Sequence, residues 1–522
     1  MFLERTARDF RHLPAAFEAA LERFESSCWV VFSFLYFAWA LLISNHKQLW
    51  FDELVSYSVD HAPSWSEAWR DLQLGVDANP PLFHFVNRLL LGALGDTTLV
   101  QRASSILGFW VMSACVYAIV RRNQSAAAAW VAALVPVCSG AAYYATEARP
   151  YGMVLGFVSL AIICWLNAVE GSGAKRWWVV GLAICLACAI SSHYYAVFTI
   201  APFIGAELTQ AVRRRRVDWT ILAAVMFSYL PLILFYQAGL MSAANQYVGS
   251  TDRASLLNPI HYWEMVLGPV AGSILLAVGV ALAWAWIGDR ISTVTFTIQR
   301  QHIVAAWFCV LPIVVVLAAR YVTHAYEHRY AITAVLGAAI LIGAGFDALR
   351  AAIPGAAGLA ALALLLPVSA DAVMGWNKPR GRHLEYGWAS AVSARPELPV
   401  VYGMPLEFVQ GWYNAPTSEL KNRITCLVDL KEARERTGST TADLGVINLK
   451  PALPVPAVGY DEFVELRKPF YLLYEPSITS WVTKKLVEDG AELKLQGLFG
   501  ADELYLVTWR PPETEPVRQP TP

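Results

Sequence analysis

Two adjacent carboxylates, Asp52 and Glu53, follow Trp50-Phe51 just after the first long apolar run of the chain. A carboxylate there can accept a proton from an attacking hydroxyl. Two neighbours cannot easily aim at one substrate, so one is expected to be catalytic and the other structural. The plainer alternative is a solvated helix terminus. A second constellation reads Tyr143-Tyr144-Ala145-Thr146-Glu147-Ala148-Arg149-Pro150-Tyr151. A Glu, an Arg and three Tyr suit a hydroxylated, phosphate-bearing ligand, because a guanidinium fork can take two phosphate oxygens at once. An interfacial aromatic belt with a Glu–Arg pair is the competing explanation. Further candidates are Asp77, Asn79-Pro80-Pro81-Leu82-Phe83-His84 and Arg102. Ser192-His193-Tyr194-Tyr195 follows, and then Arg320-Tyr321 with His324, Glu327, His328, Arg329 and Tyr330.

The elements that must carry these residues are membrane spans. The 522 residues are 56% apolar and 16% charged, against about 45–50% and about 25% in soluble domains. Apolar segments long enough to cross a bilayer fall near 28–45, 97–120, 125–142, 150–168, 177–192, 195–212, 219–238, 268–288, 302–320, 330–346 and 353–371. Basic residues occupy every alternate loop: Arg5, Arg8, Arg11 and Arg23; Arg121 and Arg122; Lys175 and Arg176; Arg213–Arg216; Arg290 and Arg300; Arg350. By the positive-inside rule these loops are cytoplasmic. The loops 46–96 and 239–267, and the tail, are then outside. Pro81–Leu94 is apolar but carries His84, Asn87 and Arg88, and counting it as a span would invert the charge pattern. It reads as a helix lying in the outer interface, as does Trp65–Leu74 after the caps Ser64 and Ser66. The N-terminal apolar run lacks a small-residue cleavage site and is expected to stay as an anchor.

The organisation predicted is a cytoplasmic segment 1–27, a transmembrane domain 28–371 and a small external α/β domain 372–522. In the tail, Val400–Tyr402, Ile424–Val428, Leu444–Ile447 and Phe470–Tyr474 read as strands. Trp481–Asp489 reads as a helix, and Glu492–Gly497 with Glu503–Trp509 as a closing hairpin. The tail has no Gly-rich phosphate loop and no expected active site. Most of the eight cysteines lie in apolar runs, and Cys185-x-x-Cys188 reads as packing rather than metal or redox chemistry. His324-x-x-Glu327-His328 has the spelling of an inverted zinc-protease motif, but lies in a short inter-span loop that runs into Arg329-Tyr330. The sequon at Asn123 lies on the predicted cytoplasmic side. Net charge near zero and no basic stripe argue against nucleic acid.

In order, the chain carries an acidic pair after the first span, Pro80-Pro81-Leu82-Phe83, Arg102 early in the next span, Glu147-Ala148-Arg149-Pro150-Tyr151, and a late Arg-Tyr junction. This arrangement resembles glycosyltransferase family 39 of the GT-C superfamily, which includes protein O-mannosyltransferases and lipid-A aminoarabinose transferases. It departs at Asn79, where the family pattern usually has His before Pro-Pro. The resemblance implies a polytopic α-helical GT-C membrane protein with about eleven spans, interfacial helices in the first external loop and a periplasmic α/β appendage. It also implies a bacterial inner membrane location and inverting transfer from a polyprenyl-phosphate sugar to a lipid, glycan or protein acceptor. Asp52 is then the base, and Glu53 orients the acceptor or pairs with an arginine. Arg149, Arg102 and Arg329 neutralise the leaving phosphate, with His193 and His328 behind them. Glu147, Tyr151, Tyr194, Tyr330, Asn79 and His84 complete the substrate-binding set. Besides donor and acceptor, membrane lipid is the expected partner. No cofactor is required, although a divalent cation is compatible. A multi-pass transporter or lipid flippase with an external ligand-binding domain is the competing class. Against it, no inverted repeat and no matched pair of broken helices is visible.

Overall fold

A computed structural model describes residues 15–171, 173–245, 254–288, 296–374, 386–477 and 480–509. Arg5, Arg8, Arg11 and Arg290, invoked for orientation, lie outside these residues. The chain divides into two compact units. A helical unit holds most residues up to about 381. A sheet unit holds the tail together with residues 48–58.

The helical unit contains α1 (Glu25–His46), most of α2 (Phe51–Asp60) being left to the sheet unit, then α3 (Trp65–Leu74), α4 (Pro81–Leu94), α5 (Thr98–Arg121) and α6 (Ala126–Cys138). It continues with α7 (Tyr151–Glu170), α8 (Lys175–Ser192), α9 (Ile200–Arg214), α10 (Asn258–Gly288), α11 (Arg300–Ala318), α12 (Ala334–Ala352) and α13 (Ala356–Met374). Among the described residues, eight helices are long and apolar enough to cross a membrane, or nine if the bent pair Ala126–Cys138 and Gly140–Thr146 is one span. Two other expected spans coincide with the shorter apolar helices Trp219–Phe235 and Ala356–Leu365. The first is broken into 219–227 and 230–235, followed by 237–245, with Pro231 near the start of the middle piece.

Small residues let these helices approach closely, as is usual where lipid removes the hydrophobic drive between them. A Cβ on Gly152 would lie 2.1 Å from the Ser105 carbonyl oxygen, so α5 and α7 touch backbone to backbone there. Helix α6 is buried along nearly its whole length, with Ala126–Ala129, Ala132 and Ala133 almost fully enclosed. Conversely, Val30 and Phe34 on α1 and Leu275 on α10 are about 70% exposed, as lipid-facing side chains would be.

The short helices carry clear end signals. Ser64 caps α3 by accepting from the Glu67 amide at 3.2 Å, and Gly75 ends it in the left-handed region at φ 79°. Pro81 occupies the first turn of α4, where a missing N–H costs nothing. Beyond α6 the chain bends by 70° into a 3-10 turn, Gly140–Thr146, because Pro136 and the extended Ser139 end the helix. That bend sets the Tyr143–Tyr151 junction at a helix end. After α11 a π-turn, Ala319–Thr323, ends at His324 with φ 55°.

The sheet unit has six strands in the order β3-β2-β1-β4-β6-β5: β1 (Val400–Tyr402), β2 (Ile424–Val428), β3 (Ala457–Gly459), β4 (Phe470–Tyr474), β5 (Ala491–Phe499) and β6 (Asp502–Trp509). The first four are parallel, with Val400 opposite Ile424 and Tyr471; the β5–β6 hairpin adds antiparallel at β4. Val401, Leu427, Phe470, Leu472, Trp481 and Val507 pack the core. Leu444–Ile447 is not a strand. It lies in the helix Thr441–Leu449, where Val446 and Leu449, three apart, are both buried on one face. A short apolar run does not distinguish the two, and β3 was the missed strand.

Candidate active site

Within the helical unit, a line of buried charges joins the first external loop to the Tyr143–Tyr151 junction. Asp77 is 2% exposed and takes Arg149 Nη1 on its Oδ2 at 3.0 Å, with His84 Nε2 at 3.4 Å from the same oxygen. Asn79 donates to Asp77 Oδ1 at 2.6 Å. The other ring nitrogen of His84, Nδ1, lies 2.7 Å from Asp60 Oδ1. Asn87 donates to Asp60 Oδ2 at 3.1 Å, and Ser104 donates to Asn87 Oδ1 at 2.6 Å. Burial opposes a charge on His84, but the carboxylates of Asp60 and Asp77 outweigh it and hold the imidazole up to about 9. His84 is therefore a cation at neutral pH, clamped between two carboxylates.

Arg149 is further fixed from the backbone side. Ser105 donates to the Arg149 carbonyl at 3.0 Å and accepts from the Gly152 amide at 3.0 Å. Close by in sequence, the fully buried Glu147 pairs with Lys47 at 3.2 Å, and the Lys47 ammonium sits 4.1 Å from the centre of the Tyr143 ring.

A second cluster is aromatic. His193 ends α8, is 6% exposed, and has ring centres of Tyr151 at 5.2 Å and Tyr330 at 5.7 Å. Tyr330 stacks on Tyr195 at 3.8 Å, 18° from parallel. The Tyr195 amide donates to His193 Nδ1 at 3.1 Å, which leaves the proton of the neutral ring on Nε2. Burial, then the positive charges of Arg149 and Arg329, push the His193 pKa down to about 3. His193 is thus an uncharged hydrogen-bond donor in the field of two arginines. Tyr194 begins the next turn, with its hydroxyl against the backbone of Gly239.

Other site candidates are placed differently. Arg102, fully buried, donates from Nη1 to the carbonyls of Ser44 at 2.8 Å and Lys47 at 3.0 Å. Through Nη1 it closes the C-terminal end of α1, whose last carbonyls lack helical partners. His328 Nδ1 meets the Tyr326 hydroxyl at 3.2 Å. The His324–His328 run is irregular, from left-handed His324 to extended Glu327 and the 3-10 turn at His328, and is not on the helix a zinc protease needs. Among the described residues, the one group able to share a metal ion is Glu407, Glu475 and Asp502 in the sheet unit.

Asp52 and Glu53 open α2 within the sheet unit. Glu53 is fully buried and accepts from the Trp50 amide at 3.4 Å, as a first-turn carboxylate does; Asp52 is half-buried. Their segment packs on the helix Pro405–Tyr413. Asn414 donates to the Leu49 carbonyl at 3.2 Å, and Tyr57 meets Tyr413 edge-on at 5.4 Å. Sequence reasoning missed Lys47, Asp60 and Asn87 and left Asp77 without a role. The signal for Asp60 and Asp77 was present, since an acidic residue within apolar surroundings needs a partner.

Comparison with known proteins follows this geometry. The model of the dolichyl-phosphate-mannose-protein mannosyltransferase family matches residues 78–237, a stretch that holds Asn79, His84, Arg102, Glu147, Arg149, Tyr151, His193 and Tyr194. Among solved structures, ArnT from Cupriavidus metallidurans bound to undecaprenyl phosphate superposes with a TM-score of 0.53 over 92% of this chain and 98% of that one, at 13% identity. The fold is of the GT-C type. The same ArnT in its apo state gives a TM-score of 0.41 over the same shares at 14% identity. Among curated proteins none matches. The resemblance carried by the motifs thus holds for the GT-C fold, a multi-pass helical membrane protein with a small C-terminal sheet.

Proposed function

We propose that this GT-C protein transfers a sugar from a polyprenyl-phosphate carrier to a lipid, glycan or protein hydroxyl at the outer face of a bacterial inner membrane, with inversion. The observation that carries the reading is the pairing of Arg149 and Arg329 with an uncharged His193 at a tyrosine-lined helix junction. Two arginines, one of them shared with Asp77, and a neutral N–H donor match a leaving lipid phosphate, whose charge grows as the glycosidic bond breaks. An apolar cavity of about 540 Å³ borders His84, walled by Trp65, Trp69, Leu72, Leu82, Phe85 and Ile184. Its lining suits a prenyl chain. The ArnT of similar fold is itself bound to undecaprenyl phosphate.

In this mechanism Asp52 takes the proton of the acceptor hydroxyl. The acceptor oxygen attacks the anomeric carbon, the bond from that carbon to the phosphate oxygen breaks, and the lipid phosphate leaves with the electron pair. Glu53, held by its first-turn contact, keeps Asp52 in place. Asp52→Asn keeps shape and hydrogen bonding but removes basicity. With a polyprenyl-phosphate sugar as donor, its turnover is expected to fall about 10²-fold or more while donor affinity stays level. Near-normal turnover by a folded Asp52→Asn protein would remove Asp52 as the base.

A further inference from the structure

Within the helical unit a second cavity lies far from the Asp77–Arg149 cluster, at the other ends of the helices around it. It measures about 440 Å³ and is lined chiefly by polar groups. Arg213 and Arg214 reach it from the end of α9, Arg300 and Gln301 from the start of α11, and Gln210 from one turn earlier on α9. Helix α5 has its Arg102 end near the first site and is followed by Asn123 at this cavity, so its 24 residues separate the two by roughly 30 Å or more. The cavity therefore opens among the arginine-rich loops that the charge pattern makes cytoplasmic.

Its chemistry is that of an anion site. Among the described residues, Arg213 and Arg300 form no ion pair, and Arg214 acts only at longer range on the buried carboxylate of Glu207. The amide nitrogens of Gln210 and Gln301 are buried without a hydrogen-bond partner, in side chains only 3% and 1% exposed. Gln301 is oriented so that its Nε2 is the spare group, because its Oε1 accepts from Asn123 Nδ2 at 3.2 Å. Two buried donors on residues that line a cavity, outnumbering the one unpartnered acceptor there, Gln299 Oε1, are costly unless something accepts from them. The first amides of the 19-residue α11 add positive potential at the same place. The one acidic lining residue, Glu170, is bridged by Arg122 at 3.4 Å. Glu207, buried one turn deeper on α9 than Gln210, does not line the cavity.

We propose that this cavity binds a phosphate-bearing anion, supplied by the headgroup of an anionic phospholipid or by a soluble phosphate. Basic recesses between helices on the cytoplasmic side commonly hold such headgroups. The inference is independent of the transfer reaction, since it uses none of its residues.

The test uses the full-length protein in nanodiscs of phosphatidylcholine with increasing phosphatidylglycerol, and separately in phosphatidylcholine with inorganic phosphate. The thermal unfolding midpoint is followed in both. A saturable rise with phosphatidylglycerol alone identifies the headgroup as the source, and a rise with inorganic phosphate identifies a soluble ligand. In either case Arg214→Gln and Arg300→Gln should each weaken the apparent affinity about fivefold. Gln301→Leu, which changes no charge, should weaken it too. Arg215→Gln and Arg216→Gln, outside the cavity, should do little. No rise in either series overturns the proposal. So does equal weakening by the cavity and non-cavity arginine variants, because diffuse surface charge would then explain the binding.

Discussion

The two buried histidines of the helical unit are handled in opposite ways. His84 is given a carboxylate at each ring nitrogen and kept charged. His193 is given tyrosine rings, a backbone amide and two nearby arginines and kept neutral. Both are almost fully buried, so burial alone does not decide the charge state. The sign of the neighbours does. His84 belongs to a network that is internally matched, which suits holding the first external loop against the helices. His193 sits where positive charge exceeds negative, which suits receiving an anion. Arg149 takes part in both, through Asp77 on one side and through its field on His193 on the other.

Removing Arg149 should therefore give the largest effect of the substitutions within this comparison. Arg149→Ala is expected to cost about 10²-fold or more in turnover, and to weaken donor binding more than Arg149→Lys, which keeps charge without the two-pronged fork. It also leaves Asp77 short of a partner, a loss worth about 3–5 kcal/mol for a broken buried pair, so a melting curve must accompany the assay. In the same protein the His193 pKa, followed by NMR, should move upward from its depressed value. If Arg149→Ala binds the donor lipid normally, the junction is only an aromatic belt with an ion pair.

The next test sharpens the contrast through pH. The His84 pKa is raised above its unfolded value. Its contribution to stability is complete below about 6.5 and is lost as pH climbs through about 9. His193 is depressed, so its contribution is present above about 6.5 and is lost as pH falls toward about 3. The unfolding midpoint should thus decline on the alkaline side because of His84 and on the acid side because of His193. Asp60→Asn should move the alkaline decline to lower pH and leave the acid side in place; His193→Gln should relieve only the acid side. An alkaline decline that stays put in Asp60→Asn would mean that His84 is not held charged by its carboxylates.

Much of this arrangement was legible in the sequence, and what was not has physical causes. Long apolar runs bounded by arginines located the spans, and the caps at Ser64 and Pro81 located the two short helices. The Glu147–Tyr151 junction and His193 were visible because polar residues at helix ends in an apolar chain stand out. Pairings across the fold were not visible: Lys47 with Glu147 is 100 residues away in sequence, and Arg149 with Asp77 is 72. The contact of Arg102 with the end of α1 was not visible either, because an arginine early in a span looks the same whether it faces a ligand or a neighbouring helix's last carbonyls. The helix at Thr441–Leu449 was missed because four apolar-rich residues fit either period.

The smallest effect should come from the hydroxyl of Tyr195, at the neutral end of the comparison. That hydroxyl donates to the Ala325 carbonyl at 2.6 Å and lies 2.8 Å from Thr323 Oγ1, tying α8's end to the turn that leads to Arg329. The ring separately stacks on Tyr330. Tyr195→Phe keeps the stack and loses a neutral hydrogen bond, worth about 1 kcal/mol. Tyr195→Leu loses the stack as well, a further 0.5–1.5 kcal/mol or so. Neither touches a charge, so the field at His193 and its pKa should hold in both. What changes is how firmly residues 323–330 are held, and with them Arg329. A few-fold rise in KM with kcat nearly level is the expected signature for Tyr195→Phe, larger for Tyr195→Leu. If Tyr195→Phe instead lowers kcat as severely as Arg149→Ala, the aromatic cluster takes part in the reaction itself, and the division between a charged half and a neutral, positioning half fails.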